Sequence, residues 1–374
     1  MRIIIVGAGF SGIAALVRLA SAKVPLDILL IDKKETFDFL PLLPDCFARN
    51  ISPRFITCEL GPIALKYGAR FFNKEVIALD PEKKEVITSD AVFPYDYLIL
   101  ASGTETNSYG NDAVKKYGYT LDSAQDAVKI TAALGRNQYE NFIVAGAGYS
   151  GIEVACGLRC YLNRHGKKGR IIIAERAVSI LGPLPDWMKA YVSDNLRMLD
   201  IEVATGVVVE RIEERSLRFS DSSNYNNSML IWTAGVRCAD FIQKLSLGKN
   251  PQGRLKVDMS LKAHESIFVA GDAACFSYGN TCLRMAVQFA ITQGLFAGAQ
   301  VIRSIKGLEF KEYQPFDFGY IIPMANNRAC GQVMGIHLKG RLAIVLHFLM
   351  CIYRLYGWRN KVGVLKALML SKVS

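Results

Sequence analysis

Residues 2–13 read RIIIVGAGFSGI. The consecutive aliphatic residues form a run that suits a buried parallel strand and is too short for a helix. Three glycines follow, Gly7, Gly9 and Gly12, and a helical pattern then runs from Ile13 to about Ala22. A strand, a glycine turn and a helix in this order are typical of a dinucleotide-binding unit, in which the pyrophosphate lies on the positive N-terminal end of the helix.

The glycines and the next acidic residue each meet a separate requirement of such a unit. Gly7 makes the tight turn, Gly9 lets the backbone approach a pyrophosphate, and Gly12 lets the helix pack closely on the strand. The next strand, Asp27–Ile31, ends at Asp32, twenty residues after Gly12. A carboxylate there can accept hydrogen bonds from the ribose hydroxyls of an adenine nucleotide. A glycine-rich turn that served only packing would leave Asp32 unexplained.

The same pattern occurs a second time along the chain. Asn141–Ala145 is an apolar strand, residues 146–151 read GAGYSG, and a helical pattern covers Ile152–Arg164. Arg170–Ala174 is the next strand, and Glu175 ends it. Two complete units predict dinucleotide binding far more specifically than one unit does.

Glu175 also bears on which nicotinamide nucleotide binds. Its carboxylate favours a free 2′-hydroxyl, and hence NADH over NADPH. Arg176 beside it could instead receive a 2′-phosphate. We therefore expect NADH, with NADPH as the alternative.

Two further strand ends carry small or acidic residues. Tyr95–Ala101 is a buried strand that ends at Ser102-Gly103, where small residues allow a ligand to approach. Ser266–Ala270 is the last strand, and Gly271-Asp272 follows it, ahead of a helix from about Met285 to Lys306. A carboxylate after a buried strand costs too much to leave unpaired. Asp272 is therefore either a helix N-cap or a ligand to a polar cofactor chain such as ribityl, and the two roles are compatible.

Length and composition limit the class of protein. A chain of 374 residues has room for two or three domains, and 51% hydrophobic residues are too few for a bundle of membrane spans. The net charge of +11 belongs largely to the tail, because residues 339–374 hold seven Lys or Arg and no Asp or Glu. This distribution argues against nucleic acid as the partner. Since the first strand begins at Arg2, we expect no signal peptide and a cytoplasmic nucleotide-binding part.

The cysteines and histidines carry no recognisable ligand spacing. Nine cysteines occur without a C-x-x-C or a C-x-x-x-x-C pair. Most of them, such as Cys156 and Cys275, are expected to be small buried hydrophobes. His165, His264 and His337 are scattered, so no metal site is expected.

The basic tail contains a short apolar segment, Leu342–Tyr353, interrupted only by His347. As a helix it spans about 18 Å at about 1.5 Å per residue, against roughly 30 Å of hydrocarbon, so it cannot cross a membrane. A second apolar pattern with lysines and interfacial aromatic residues follows: Tyr356, Trp358, Lys361, Val362, Leu365, Lys366, Leu368, Met369 and Lys372. The tail indicates a monotopic anchor on the cytoplasmic leaflet. The alternative is a pair of helices that forms a dimer.

The glycine turns, together with residues 232–235 (WTAG) and 271–272 (GD), resemble the two-dinucleotide flavoprotein family. Within that family the chain most resembles the type II NADH dehydrogenases, which are single-subunit NADH:quinone oxidoreductases. The matching segments are residues 39–43 (FLPLL), 148–153 (GYSGIE), 232–236 (WTAGV), Gln288, Gln293-Gly294 and Gly340–Lys361. The chain departs from the family in having Val287 and Thr292 where an alanine and a further glutamine are usual.

The resemblance implies an α/β protein with two Rossmann-like dinucleotide-binding domains and a C-terminal membrane-associating helical tail. It implies a discontinuous FAD domain at 1–106 and 251–325, an inserted NADH domain at 107–250, and an acceptor-site and anchoring region at 326–374. The implied enzyme passes a hydride from NADH to flavin N5 of non-covalent FAD, and two electrons to a membrane quinone, without pumping protons. A homodimer on the cytoplasmic face, with residues 340–374 on the leaflet, is expected.

The resemblance also implies which residues bind each nucleotide. Those implied for FAD are Gly7, Gly9, Phe10, Ser11, Gly12, Asp32, Lys33, Pro41, Leu42, Ala101, Ser102, Gly103, Gly271, Asp272 and Ala273. Those implied for NADH are Gly146, Gly148, Tyr149, Ser150, Gly151, Glu175, Ala234 and Gly235.

Two polar side chains, Glu153 and Gln288, are implied in the chemistry. Glu153 lies in the first turn of the second unit's helix, where the helix dipole alone would stabilise a carboxylate. The resemblance implies instead a contact with the nicotinamide amide and a part in moving protons to the reduced quinone. Gln288 is either an ordinary helix glutamine or a hydrogen-bond partner of a quinone carbonyl. Residues 320–334 are expected to form one wall of the acceptor pocket.

Other functions remain open on the sequence. A sulfide:quinone oxidoreductase shares the flavin and the acceptor but uses cysteines beside the flavin, one of them near the position of Glu153. That cysteine is absent here, although Cys156 and Cys330 keep the possibility open. A flavoprotein subunit that reduces a partner protein, or a membrane-tethered NADH sensor, is a further alternative.

Overall fold

The computed structural model describes residues 1–22, 24–136, 139–279 and 281–371. Lys372, expected at lipid headgroups, lies outside the described residues. The chain divides into two compact units, each assembled from separate segments. The first unit comprises Met1–Phe37, Cys58–Glu105 and Val236–Asp317, and the second comprises Asp38–Thr57, Thr106–Gly235 and Phe318–Ser374.

Helices and strands alternate around both glycine turns, at residues 2–32 and 141–205, and runs of consecutive strands make up much of the rest. The α-helices of the described residues are α1 (Phe10–Ala20), α2 (Leu43–Ala48), α3 (Leu60–Lys66), α4 (Asp112–Tyr117), α5 (Ala124–Arg136), α6 (Tyr149–Arg164), α7 (Asp186–Met198), α8 (Asp240–Gln243), α9 (Val287–Ile305), α10 (Gly340–Arg354) and α11 (Trp358–Leu370). The strands are β1 (Arg2–Val6), β2 (Asp27–Asp32), β3 (Thr36–Asp38), β4 (Thr57–Glu59), β5 (Arg70–Asn73), β6 (Val76–Asp80), β7 (Glu85–Thr88), β8 (Val92–Pro94), β9 (Tyr97–Leu100), β10 (Glu105–Thr106), β11 (Asn141–Ala145), β12 (Arg170–Glu175), β13 (Ile201–Thr205), β14 (Val209–Ile212), β15 (Ser216–Phe219), β16 (Asn224–Asn226), β17 (Ser228–Trp232), β18 (Val236–Arg237), β19 (Leu255–Val257), β20 (Lys262–His264), β21 (Ile267–Val269), β22 (Ala274–Tyr278), β23 (Thr281–Cys282), β24 (Gly319–Met324), β25 (Arg328–Val333) and β26 (Ile336–Lys339).

The first unit is built on a sheet in the order β20-β21-β9-β1-β2-β5. Its neighbouring strands pair in parallel, except that the edge strand β20 runs antiparallel to β21. The central strand β1 is aliphatic because it is covered on both faces, and Ile3, Ile4 and Ile5 are fully buried. The chain continues from β1 to β2 on one side and reaches β9 on the other. The carboxyl edge of the sheet beside β1 is therefore a topological switch point, where α/β proteins bind ligands.

The second unit contains a parallel sheet in the order β13-β12-β11-β17. Strand β11 has the place in this sheet that β1 has in the first, with Ala145 in register with Ala174 on one side and Trp232 on the other. Helix α6 packs closely against α2 of the same unit, since a Cβ on Gly157 would lie 2.9 Å from the ring of Phe47. This close packing brings side chains of α2 to the helix that follows the second glycine turn.

The C-terminal part of the second unit is a small antiparallel sheet, β24-β25-β26, followed by α10 and α11. Helix α10 buries Ala343, Ile344 and Cys351 on one side. None of the helices in the described ranges has both the length and the apolar character that crossing a bilayer requires.

The predicted α/β fold with two Rossmann-like units is confirmed. The helix expected from Ile13 begins earlier, at Phe10, because Gly9 provides an extended N-cap residue. The units do not follow the expected domain limits everywhere. Residues 38–57 group with the second unit, and the first unit resumes at Val236 instead of 251.

Candidate functional site

The first glycine turn is shaped by close backbone approaches. Gly7 has φ +97°, a conformation that favours glycine, and a Cβ there would collide with the carbonyl oxygen of Ala101. A Cβ on Gly12 would overlap the carbonyl oxygen of Gly7. Gly9 differs, because nothing lies within 4 Å of the position its Cβ would take. The open space is thus at the N-terminus of α1, where backbone N–H groups can bind a phosphate.

Asp32 links the end of β2 to this glycine turn. Its carboxylate accepts hydrogen bonds from the backbone N–H groups of Ala8 at 2.6 Å and Lys34 at 2.8 Å. An ionised carboxylate has about four lone-pair sites, so it can hold the turn and still accept from a ribose hydroxyl. The neighbouring Lys33 directs its ammonium to Glu105 at 3.2 Å, within the same unit.

Ser102 and Asp272 follow two other strands, β9 and β21, at the same carboxyl edge. The Ser102 hydroxyl oxygen is buried and has no hydrogen-bond partner within the described residues. Asp272 lies inside a short 3-10 helix, Gly271–Ala273, in which Ala270 holds the N-cap position. Of the two alternatives for Asp272, the N-cap role is therefore wrong. Burial raises the pKa of its carboxyl, and the charge of Arg254 opposes that rise.

The backbone around Asp272 is held by Arg254, which sequence reasoning missed, and by Gln293, to which it gave no role. The buried guanidinium of Arg254 donates to the carbonyl oxygens of Asp272 at 3.0 Å, Ala274 at 2.5 Å and Leu283 at 3.0 Å. The buried amide oxygen of Gln293 accepts from the backbone N–H of Gly271 at 2.8 Å. Arg254 stands in a polar stretch with no motif, so only its contacts reveal its role.

The residues of this edge fit FAD. The open cradle at Gly9 suits a pyrophosphate, and the carboxylate of Asp32 suits a ribose. The unpartnered Ser102 hydroxyl and the buried Asp272 carboxyl are polar groups for which a hydroxylated chain would supply partners. Of the other residues implied for FAD, Phe10, Ser11, Ala101, Gly103, Gly271 and Ala273 lie in this unit, whereas Pro41 and Leu42 belong to the second unit.

The second glycine turn repeats this geometry around α6. Gly146 has φ +100°, and a Cβ on Gly151 would overlap its carbonyl oxygen. As at Gly9, nothing lies within 4 Å of the position that a Cβ on Gly148 would take. Glu175 accepts hydrogen bonds from the backbone N–H groups of Ala147 at 2.7 Å and Ala177 at 2.8 Å. The two acidic residues that the sequence analysis selected therefore have the same structural role in their own units.

The end of β17 completes the second edge. The Thr233 hydroxyl donates to the carbonyl oxygen of Ala145 at 2.7 Å, which ties β17 to β11. Gly235 has φ +78°, and a side chain there would collide with the hydroxyl of Tyr109. Ala234 lies beside the glycine turn, since a Cβ on Gly146 would lie 3.1 Å from its Cα atom. Tyr149 and Ser150 begin α6 at the same turn. The residues implied for NADH all lie in this unit.

Gln288 occupies the first turn of α9 in the first unit and is buried. Its amide nitrogen donates to the carboxylate of Asp317 at 2.8 Å, and Arg284 forms an ion pair with the same carboxylate at 2.7 Å. A primary amide has two N–H donors, so a quinone carbonyl would need the second one. The role of Gln288 at the acceptor stays a prediction.

Glu153 lines a small cavity inside the second unit. The cavity is lined by Pro44, Asp45, Ala48, Arg49, Glu153, Pro323, Met324, Ala325 and Ile344. Burial raises the pKa of the Glu153 carboxyl well above its usual range, and the nearby charge of Asp45 adds to the rise. The raised pKa favours the protonated form of the carboxyl, which can donate a proton. Sequence reasoning found Glu153 but not Asp45 or Arg49.

Two cysteine predictions have different outcomes. Cys156 is fully buried, as expected, and so is Cys330. Burial raises the pKa of both thiols, to about 12 for Cys330, which disfavours the reactive thiolate. Cys275 is not a free buried thiol, because it forms a disulfide with Cys282 across β22 and β23, with the Cα atoms 5.2 Å apart.

The chain is similar to known proteins over most of its length. The profile of the family described as pyridine nucleotide-disulphide oxidoreductase matches residues 1–294. The demethylphylloquinone reductase NdbB of Synechocystis is 26% identical and the alignment covers 97% of this chain and 94% of that protein. The type II NADH:quinone oxidoreductase of Staphylococcus haemolyticus is 23% identical, with 91% and 92% covered. The structure of NDH2 from Plasmodium falciparum in complex with NADH superimposes with a TM-score of 0.88 at 19% identity, covering 99% and 98%.

Proposed function

Because the chain belongs to the pyridine nucleotide-disulphide oxidoreductase family, we propose that it is an FAD-dependent NADH:quinone oxidoreductase of the type II class. The expected resemblance to that class is confirmed by the curated relatives. When bound, FAD accepts a hydride from NADH and passes two electrons to a quinone, which takes up two protons.

The observation that carries this proposal is the repeated pairing of an open glycine with an anchored carboxylate. Gly9 with Asp32 in the first unit, and Gly148 with Glu175 in the second, each offer a helix N-terminus to a pyrophosphate and an acceptor to a ribose. In the first unit, Asp272 would hold hydroxyls of the ribityl chain. The chain's own residues thus bind and orient two dinucleotides.

The proposal is tested by anaerobic titration of the purified holoenzyme with NADH. We expect the flavin absorbance to bleach in proportion to the NADH added, and to return when a soluble short-chain quinone is supplied without any other protein. Bleaching by sulfide but not by NADH would indicate a sulfide:quinone oxidoreductase instead. Re-oxidation that requires a second protein would indicate a flavoprotein subunit.

Glu153 is proposed to supply a proton to the reduced quinone. A raised pKa keeps the carboxyl protonated to a higher pH than usual, and the proton is lost as the pH rises through that raised value. The E153Q variant keeps the shape of the side chain but has no acidic proton. We expect quinone-dependent re-oxidation of the flavin to slow by about a hundredfold near pH 7, and its fall at alkaline pH to disappear.

Stopped-flow re-oxidation at several pH values measures this effect, with the NADH-driven half-reaction as the internal control. A Gln variant that kept the wild-type rate and pH profile would contradict the assignment. The same control separates proton supply from a contact with the nicotinamide amide, because loss of that contact would slow the NADH half-reaction instead.

We further propose that the tail lies on the cytoplasmic leaflet. Helices α10 and α11 expose large apolar side chains that form an apolar tail stripe: Leu342, Val345, Leu349, Tyr353, Trp358, Leu365, Met369 and Leu370. Lys366 and Arg359 are exposed on α11 and can meet acidic headgroups. An apolar stripe with basic residues and interfacial aromatic residues is typical of a monotopic anchor, although it would also suit the expected homodimer.

The leaflet proposal predicts a specific loss on substitution within the stripe. The L349D variant of the full chain should bind anionic phospholipid vesicles at least about tenfold more weakly, because a buried leucine contributes roughly 1.5–3 kcal/mol. Sedimentation with vesicles measures the bound fraction. Val178, exposed on the same unit outside the tail, provides the matched control V178D, which should bind normally. Unchanged vesicle binding by L349D, with loss of a dimer, would support the dimer alternative.

A further inference from the structure

The wall of the cavity beside Glu153 carries a buried ion pair that the proposed reaction does not yet use. The guanidinium of Arg49 lies 3.0 Å from the carboxylate of Asp45, and their side chains are only 3% and 10% exposed. Both residues belong to the segment around α2 and both line the cavity with Glu153. Removing two charges from water can cost more free energy than their attraction returns. The pair therefore points to a role other than stabilising the fold.

Arg49 is held by several partners of the second unit. It donates to the side-chain oxygen of Asn327 at 3.0 Å and to the carbonyl oxygen of Ala325 at 3.0 Å. Its guanidinium also lies 4.9 Å from the ring centre of Phe348 on α10. These contacts fix the guanidinium, and through it the carboxylate of Asp45, at one place on the cavity wall.

The histidine and the cysteines near Glu153 are uncharged at physiological pH. Burial and the charge of Arg49 lower the pKa of His347 on α10 to about 4, so its imidazole is uncharged. Burial raises the pKa of three thiols on α6 and α10, so they stay protonated: Cys156, Cys160 and Cys351.

Two more arginines flank the region without lining the cavity. The guanidinium of Arg164 on α6 donates to the carbonyl oxygens of Phe47 and Ala48, and Arg354 ends α10. Among the described residues that line the cavity, only Asp45 and Arg49 carry a charge that can act on Glu153.

We propose that Asp45, clamped by Arg49, is a positioning residue for the acceptor half-reaction, because its carboxylate on the shared cavity wall keeps Glu153 loaded with a proton. This inference rests on the proposed role of Glu153. Two carboxyl groups facing one cavity cannot both ionise without mutual repulsion, so the better-compensated one keeps the charge. Arg49 compensates Asp45, and the proton therefore remains on Glu153.

The sign of the effect follows from the charges. Burial raises the pKa of Asp45 to about 6, with Arg49 holding it from rising further, so Asp45 is an anion above that pH. Above pH 6 its negative charge disfavours ionisation of Glu153. Removing the charge as D45N also leaves Arg49 uncompensated, and both changes favour the Glu153 carboxylate. The midpoint of Glu153 titration should therefore fall.

The test is infrared difference spectroscopy of the full-length holoenzyme as a function of pH. The carboxyl C=O band that disappears in E153Q reports the protonated Glu153 directly and does not depend on turnover. In D45N we expect its titration midpoint to fall by about one pH unit or more. The D45E variant keeps a carboxylate, and the R49K variant keeps the positive charge but loses the paired donors of the guanidinium. In both variants the titration midpoint of Glu153 should stay close to that of the wild type.

The double variant D45N/R49Q provides a second test in case D45N does not fold. A protein tolerates the loss of both partners of a buried pair better than the loss of one. The midpoint of the double variant should lie between those of D45N and the wild type. A midpoint that is unchanged in D45N and in the double variant would overturn the proposal. An equal shift in R49K and D45N would also overturn it, because that result indicates a structural role only.

The infrared titration and the turnover of E153Q test the Asp45 proposal and the proton-donor role of Glu153 separately. If E153Q turns over quinone normally, the proton-donor role fails, yet the band shift still decides whether Asp45 governs the protonation of Glu153. If the band does not move while E153Q is slow, Glu153 keeps its role and the Asp45 proposal fails.

Discussion

Replacing Gly148 by valine is expected to leave the protein yellow but to slow flavin reduction by NADH about a hundredfold or more. The reason is that a nicotinamide displaced from its reactive position transfers its hydride much more slowly. Gly148 has an ordinary φ of −77°, and nothing lies within 4 Å of the position of its Cβ. The fold can therefore accept the side chain. The isopropyl group would, however, occupy the space at the N-terminus of α6 that suits a pyrophosphate.

Anaerobic stopped-flow reduction by NADH measures this loss, and reduction by dithionite followed by quinone shows whether the rest of the cycle is intact. Gly61 on α3 gives a matched control, because it also has open space around its Cβ position and lies outside both glycine turns. We expect G61V to behave as the wild type. If NADH reduced the flavin of G148V at the wild-type rate, the assignment of the NADH site to the second unit would be wrong.

The equivalent change in the first unit, G9V, is expected to yield a protein without flavin. Gly9 is the N-cap residue of α1, with φ −75° and open space around the position of its Cβ. A valine there blocks the pyrophosphate cradle without disturbing the backbone. Loss of even about 3 kcal/mol of binding would weaken FAD affinity by roughly a hundredfold.

The flavin-to-protein absorbance ratio of the purified variant measures this effect, and circular dichroism establishes that the chain is folded. G148V serves as the direct comparison, because it carries the same substitution at the equivalent position and should keep its flavin. A yellow G9V with a normal absorbance ratio would contradict the assignment of FAD to the first unit.

Much of the dinucleotide-binding geometry could be predicted because it is local. The strand, glycine turn and helix at residues 2–20 follow one another without a break, and Asp32 lies one strand further on. The same holds for Gly146–Gly151 and Glu175. In both units the predicted carboxylate lies at the turn, 2.6 Å from the backbone nitrogen of Ala8 in the first and 2.7 Å from that of Ala147 in the second.

The residues that were missed are those whose role depends on distant partners. Arg254 holds the segment around Asp272 only because three carbonyl oxygens from separate positions surround it. The partner of Cys275 was also missed, since nine cysteines allow many pairings and a spacing of seven residues matches no common motif. The role of Asp272 as a cofactor ligand stays a prediction, and its place inside a 3-10 helix was not foreseen.

The amino-acid sequence alone was sufficient to predict the two nucleotide-binding units, because glycine conformation, strand hydrophobicity and helix periodicity depend on residues that are near neighbours in the chain. The cavity beside Glu153 was decided only by folding. Arg49 and Asn327 are 278 positions apart, and neither carries a motif. The charge state of Glu153 depends on burial and on the carboxylate of Asp45, and both arise only when α2 packs against α6. Long-range packing, which no local pattern encodes, thus sets the electrostatic surroundings of Glu153.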